Sequence, residues 1–149
     1  MQESCHKLIK AAEADAEPAD TLALAYDARN RSRGKGMTAG GIEVSWFLDR
    51  GVFLRDGDCL VTGEGTLYQV TAAAEPVSRA TSTDPHLLTR AAYHLGNRHV
   101  PLQIGADALT YQPDHVLDDM VGSLGLDVRQ TELPFQPEDG AYHGGHRHD

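Results

Sequence analysis

Asp84-Pro85-His86-Leu87-Leu88-Thr89-Arg90-Ala91-Ala92-Tyr93-His94-Leu95-Gly96-Asn97-Arg98-His99-Val100-Pro101-Leu102-Gln103-Ile104 reads as a helix, a stop and a strand. Asp84 is an N-cap residue that can accept from the free N–H groups of a first turn, and Pro85 supplies the φ of a first helical position. Leu87, Leu88, Ala91, Ala92 and Leu95 follow the helical period and mark one buried face. Gly96-Asn97 predicts the stop, because both residues tolerate the left-handed conformation that ends helices. His99 then stands at the mouth of the extended run Val100–Ile104.

Downstream the pattern repeats. A short strand is expected near Ala108–Tyr111, a second helix from Asp114 to Gly125 and a strand over Val128–Leu133. Val116, Leu117, Met120, Val121 and Leu124 reproduce the apolar spacing of the first helix. With Val70–Ala74 or Pro76–Arg79 as the first strand, residues 76–136 give βαββαβ, the ferredoxin-like order, with both helices on one face of a four-stranded sheet. The first half differs. Thr21–Tyr26, Ile42–Leu48, Val52–Leu54, Cys59–Val61 and Thr66–Ala72 are short strands separated by glycine and aspartate turns, which predicts an all-β domain over residues 21–75. Residues 1–20 are rich in Ala, Glu and Asp and read as a loose lead-in. Residues 137–149 read as a flexible, His-bearing tail. The class is therefore α+β, in two domains.

Thirteen basic against 22 acidic residues give a net charge of −9, which repels nucleic-acid backbones. No apolar run is long enough to span a membrane, and the N-terminus lacks a signal-peptide core. Cys5 and Cys59 form neither a disulfide framework nor a C-x-x-C pair, so the expected compartment is the reduced cytoplasm.

The chemistry rests on histidines. If Val100, Leu102 and Ile104 face the core, alternation puts His99, Pro101 and Gln103 on the opposite face. In an isologous homodimer a residue near the two-fold axis meets its own copy, so two His99 imidazoles could share one metal ion. An ordinary surface histidine is the other reading of the same position. His115 follows the N-cap Asp114; the positive helix end favours the neutral ring that metal binding needs. Asp118 and Asp119, three and four residues on, are candidates to approach the same surface. His143, His146 and His148 form a short tract of the kind that binds nickel, copper or zinc. The thirteen residues from Pro137 to Asp149, if extended, span roughly 40 Å and reach His99. His94 lies at the edge of the buried stripe and reads as a packing residue; His86 and His6 receive no role. Arg29-Asn30-Arg31-Ser32-Arg33 is a basic run in an acidic chain, read as a solvated loop or a docking patch. No set of three fixed ligands with a base can be assembled, so a hydrolase is not expected.

Four stretches carry a family resemblance: Tyr93–Gln103, Tyr111–Gly125 with Asp114-His115-Val116-Leu117-Asp118-Asp119-Met120, Leu133–Glu138 with Gly140-Ala141-Tyr142, and Arg50–Asp58. In order and over most of the chain from Thr21, the sequence resembles the UreE family of urease accessory nickel chaperones. The resemblance implies no catalysis but carriage of Ni²⁺, with Cu²⁺ or Zn²⁺ competing. It implies His99 as a metal ligand and a homodimer, or a dimer of dimers around metal. It implies as partners the urease accessory GTPase and the apo-urease complex, with a peptide-binding β domain. The alternative is a metal buffer without a delivery partner, for which the β domain would have no use. Pro113 stands where some relatives carry a further histidine, which weakens an accessory site at His115. Longer histidine runs in some relatives imply fewer ions per chain here.

Overall fold

A computed structural model of the chain describes residues 1–139, and it divides between Ala73 and Ala74 into two units. The first unit is a six-stranded sheet in the order β2-β6-β5-β1-β4-β3. Its strands are β1 (Gln2–Ile9), β2 (Asp20–Leu24), β3 (Arg33–Met37), β4 (Glu43–Phe47), β5 (Cys59–Thr62) and β6 (Leu67–Ala72), with a short helix α1 (Tyr26–Arg29) between β2 and β3. Cys5, Leu22, Val44, Trp46, Leu60, Tyr68 and Val70 form its core.

Residues 1–20, expected as a loose lead-in, instead contain β1, an interior strand parallel to β4 and antiparallel to β5. The physical reason is a bulge. The β1–β5 register shifts between Cys5 and Lys7, so the inward positions are Cys5 before it and Leu8 after it, three residues apart, and no simple alternation survives. β3 was also missed, because Gly34 and Gly36 read as breakers. They are its inward positions: a Cβ on Gly34 would lie 2.5 Å from Trp46 Cζ2, and one on Gly36 would lie 3.1 Å from Leu22 Cδ1. Only glycine lets β3 lie this close to its own core. Val52–Leu54, expected as a strand, is irregular, although Leu54 is buried and its N–H donates to Arg29 O at 2.8 Å.

The second unit runs β7 (Ala74–Thr81), α2 (Pro85–Asn97), β8 (Leu102–Ile104), β9 (Ala108–Tyr111), α3 (His115–Leu124) and β10 (Asp127–Pro134). This is the expected βαββαβ order, with the sheet arranged β10-β7-β9-β8 and every neighbouring pair antiparallel. β7 starts at Ala74, a little earlier than the sequence suggested. Leu88, Ala91 and Leu95 of α2 meet Leu117 and Val121 of α3 over Ala80, Leu102, Leu109 and Tyr111 of the sheet. Two expected core positions are not buried: Val116 is 61% exposed and Ile104 is 50% exposed. Val116 sits in the first turn of α3, beside the stripe rather than in it, and Ile104 is the last residue of β8, where the sheet ends.

Candidate metal centre

Asp84 caps α2 as its type predicts, with Oδ1 accepting from His86 N–H at 2.9 Å and Pro85 in the first turn. The helix end differs from the expectation. Gly96 and Asn97 remain helical, Arg98 is the C-cap, and the left-handed residue is His99 itself, at φ 61°. Among the described residues it is the one non-glycine with positive φ. Pro101 explains why. The residue before a proline is pushed toward extended backbone, so Val100 cannot serve as the turning residue. The reversal must finish by His99, whose N–H donates to Gly96 O at 3.0 Å while Arg98 N–H donates to Leu95 O at 3.1 Å. Holding an L-residue there costs about 1–2 kcal/mol relative to a glycine-compatible arrangement, and such strained positions gather at functional sites.

His99 is exposed, and so is Tyr93, 68% accessible in the last two turns of α2. His94 is half-buried with its ring edge-on to Tyr93 at 5.3 Å, and its carbonyl accepts from Arg98 Nη1 at 3.3 Å. On β8 Leu102 faces the core, as alternation requires. Gln103 Oε1 accepts from Gln136 N–H at 2.8 Å, and Leu102 O accepts from Glu138 N–H at 2.8 Å. The chain leaving β10 therefore returns beside β8, three residues from His99.

His115 is the exposed first residue of α3. Its N-cap Asp114 accepts from Val116 N–H at 2.9 Å and Leu117 N–H at 3.2 Å. Asp118 does not turn toward it. One carboxylate oxygen accepts from Tyr111 Oη–H at 2.8 Å and the other from Gln130 Nε2 at 3.2 Å, which ties α3 to β9 and β10. Burial, then the hydrogen bond to Asp118, pushes the Tyr111 phenol well above its usual range. Asp119 is exposed and carries no such tie. His86 and His6 are exposed, the latter stacked on Phe47. His143, His146 and His148 lie outside the described residues. Among the described residues no group of three or more His, Cys, Asp or Glu side chains is placed to hold a metal ion. His99 and His115 are not brought into one such group. No helix among those residues is long and apolar enough to cross a membrane.

Residues 3–73 match the N-terminal domain of the UreE urease accessory protein, and residues 75–149 match its C-terminal domain. The chain belongs to the UreE family of urease accessory proteins. Relatives named urease accessory protein UreE include one from Teredinibacter turnerae, 54% identical over 86% of this chain and 83% of its own length. Another, from Alkalilimnicola ehrlichii, is 54% identical over 87% of this chain and 80% of its own. A third, from Saccharophagus degradans, is 51% identical over 83% and 74%. The family is one of nickel metallochaperones serving urease maturation, accessory proteins rather than catalysts, and its two domains coincide with the two units of the fold.

Proposed function

We propose that this chain is a homodimeric carrier that binds Ni²⁺ through His99 and releases it to the urease maturation machinery in the cytoplasm. The observation that carries this reading is the strained, exposed presentation of His99 at the end of α2, a helix that also exposes Tyr93. One imidazole is a weak site. Two, brought together as the exposed end of α2 is covered by its own copy, share the ion and complete the coordination from both chains. The hydrogen bond from Glu138 to Leu102 brings the start of the tail to this end of β8. From the sequence alone, His143, His146 and His148 are the further ligands of this reading. His115 is an accessory ligand on a rigid helix end, and Cu²⁺ or Zn²⁺ competes at every imidazole. Two dimers around one ion are the larger assembly. The first unit holds the protein partner, the urease accessory GTPase or the apo-urease complex, while the second holds the metal.

Nickel titration by calorimetry, with mass measurement of the assembled species, tests this directly. His99→Ala abolishes the tight, dimer-linked site with the fold intact, and truncation after Pro137 lowers the number of ions per dimer. Wild-type affinity in the His99 variant overturns the assignment. Unchanged stoichiometry and affinity in the truncated chain remove the tail from the site.

A further inference from the structure

The first unit carries an outward face that the nickel site does not use. Cys5, Val44 and Trp46 point into the core, and Gly34 and Gly36 do so from β3. Alternation therefore puts His6, Phe47, Arg33, Lys35 and Met37 outside. The strands bring them together: β1 pairs with β4 at Ser4–Ser45, and β4 pairs with β3 at Phe47–Arg33, Ser45–Lys35 and Glu43–Met37. Phe47 is 41% exposed and Met37 59%. The phenyl ring stacks on His6 at 5.3 Å and 20°, and the Arg33 guanidinium lies 5.9 Å from its centroid. Lys35 meets Glu43 only at 3.9 Å, and Arg33 has no carboxylate among the described residues. Arg31, exposed, extends the charge.

Two features argue for an occupant. An exposed aromatic stacked on an imidazole and flanked by a guanidinium, with a second cation two residues along the same strand, has the composition of an interface centre rather than of ordinary surface. The positive rim is set into a chain of net charge −9, so it discriminates by sign among approaching surfaces. We propose that the outer face of β1, β4 and β3 is the docking surface for an acidic protein partner, which sets an apolar side chain against Phe47 and carboxylates against Arg33 and Lys35. This rests on the assignment of partner holding to the first unit, and it names the face.

The test uses the full chain, with purified accessory GTPase and purified apo-urease complex as probes, by biolayer interferometry at low and moderate salt. R33E/K35E is expected to weaken association with one of them at least tenfold and to flatten its salt dependence. F47S is expected to weaken it severalfold with the salt dependence kept. Nickel stoichiometry stays at wild type in both. R33Q/K35Q is the milder variant should charge reversal impair folding, judged by circular dichroism. R79Q/R129Q, which removes two cations facing each other across β7 and β10, controls for lost positive charge in general. Wild-type association in both the charge and the Phe47 variants overturns the proposal, as does a loss confined to the Arg79/Arg129 control. If the unmodified chain binds neither protein, the delivery reading itself fails and this surface with it, an outcome distinct from unchanged binding in the variants.

Discussion

Substitution of His99 by glycine should make the metal-free protein more stable while destroying the metal site proposed for it. His99 adopts φ 61°, where the Cβ of an L-residue crowds the neighbouring carbonyl at a cost of about 1–2 kcal/mol. Histidine tolerates this region better than most residues, which places it at the low end. Glycine removes the crowding but widens the unfolded ensemble, which takes back about 0.4–1 kcal/mol. The side chain is exposed, so little packing is lost with it. The net gain is at most about 0.6 kcal/mol, a rise of no more than about 2–5 °C for a unit of this size. His99→Ala is the control: it keeps the Cβ and the strain, so its stability stays within about 0.5 kcal/mol of the unmodified chain. Both variants lose tight nickel binding. Chemical denaturation of the apo-protein followed by far-UV circular dichroism measures the first effect, and calorimetric nickel titration the second. A glycine variant less stable than the alanine variant would refute the strain argument, because the two differ by the group that causes it.

Gly34→Ala is expected to destabilise the first unit by about 2 kcal/mol, since the new methyl falls 2.5 Å from a Trp46 ring that is itself buried. Trp46 is the sole tryptophan, so its fluorescence reports that unfolding transition directly. A midpoint within error of wild type would mean that β3 can shift away from β4. In the second unit the Tyr111 phenol is raised by burial and by Asp118. A raised acid stabilises the fold fully below its unfolded pKa, about 10, and that stability is lost as pH rises toward the folded value. Denaturation midpoints of the second unit therefore fall above about pH 10, and Tyr111→Phe flattens that alkaline limb. The same limb persisting in the phenylalanine variant would assign it elsewhere. Asp118→Ala leaves the buried Tyr111 hydroxyl without its acceptor and costs about 1–3 kcal/mol, read from the neutral-pH denaturation midpoint.

The second unit was legible in the sequence because its signals are local. Asp84 and Asp114 cap their helices with their own side chains, the apolar stripes repeat at helical spacing, and Gly125 takes the left-handed cap at φ 112°. The first unit was only half legible because its signals are long-range. β1 finds its place only through β4 and β5, and its bulge hides the one alternation that marks a strand. The glycines of β3 have meaning only once Trp46 and Leu22 lie against them. His99 stands out in the sequence by its position after a helix stop, yet the stop lies two residues later than Gly96-Asn97 suggests. Gly96 and Asn97 tolerate the left-handed state, but nothing forces them into it; Pro101 bars Val100 from the turn, which finishes at His99. Asp118 was read as a possible neighbour of His115 from spacing alone. Spacing cannot show that Tyr111 and Gln130 take both its oxygens.

That arrangement of Asp118 bears on how a carrier differs from a structural metal site. A closed tetrahedral shell of rigid ligands holds its ion as part of the fold. Here the acidic group nearest to His115 in the helix is spent on anchoring α3, and the described residues offer His99 without carboxylates converging on it. On the proposed reading the remaining ligands come from a second copy and from the tail. Metal binding and dimerisation then stabilise each other by the same free energy. On that reading, whatever loosens the contact between the two copies lowers nickel affinity without altering a ligand. On the same reading a partner needs no direct chemistry at the ion. It needs only to bring an apo-site close while that contact opens, and the imidazole at the strained turn is then free to release its cargo.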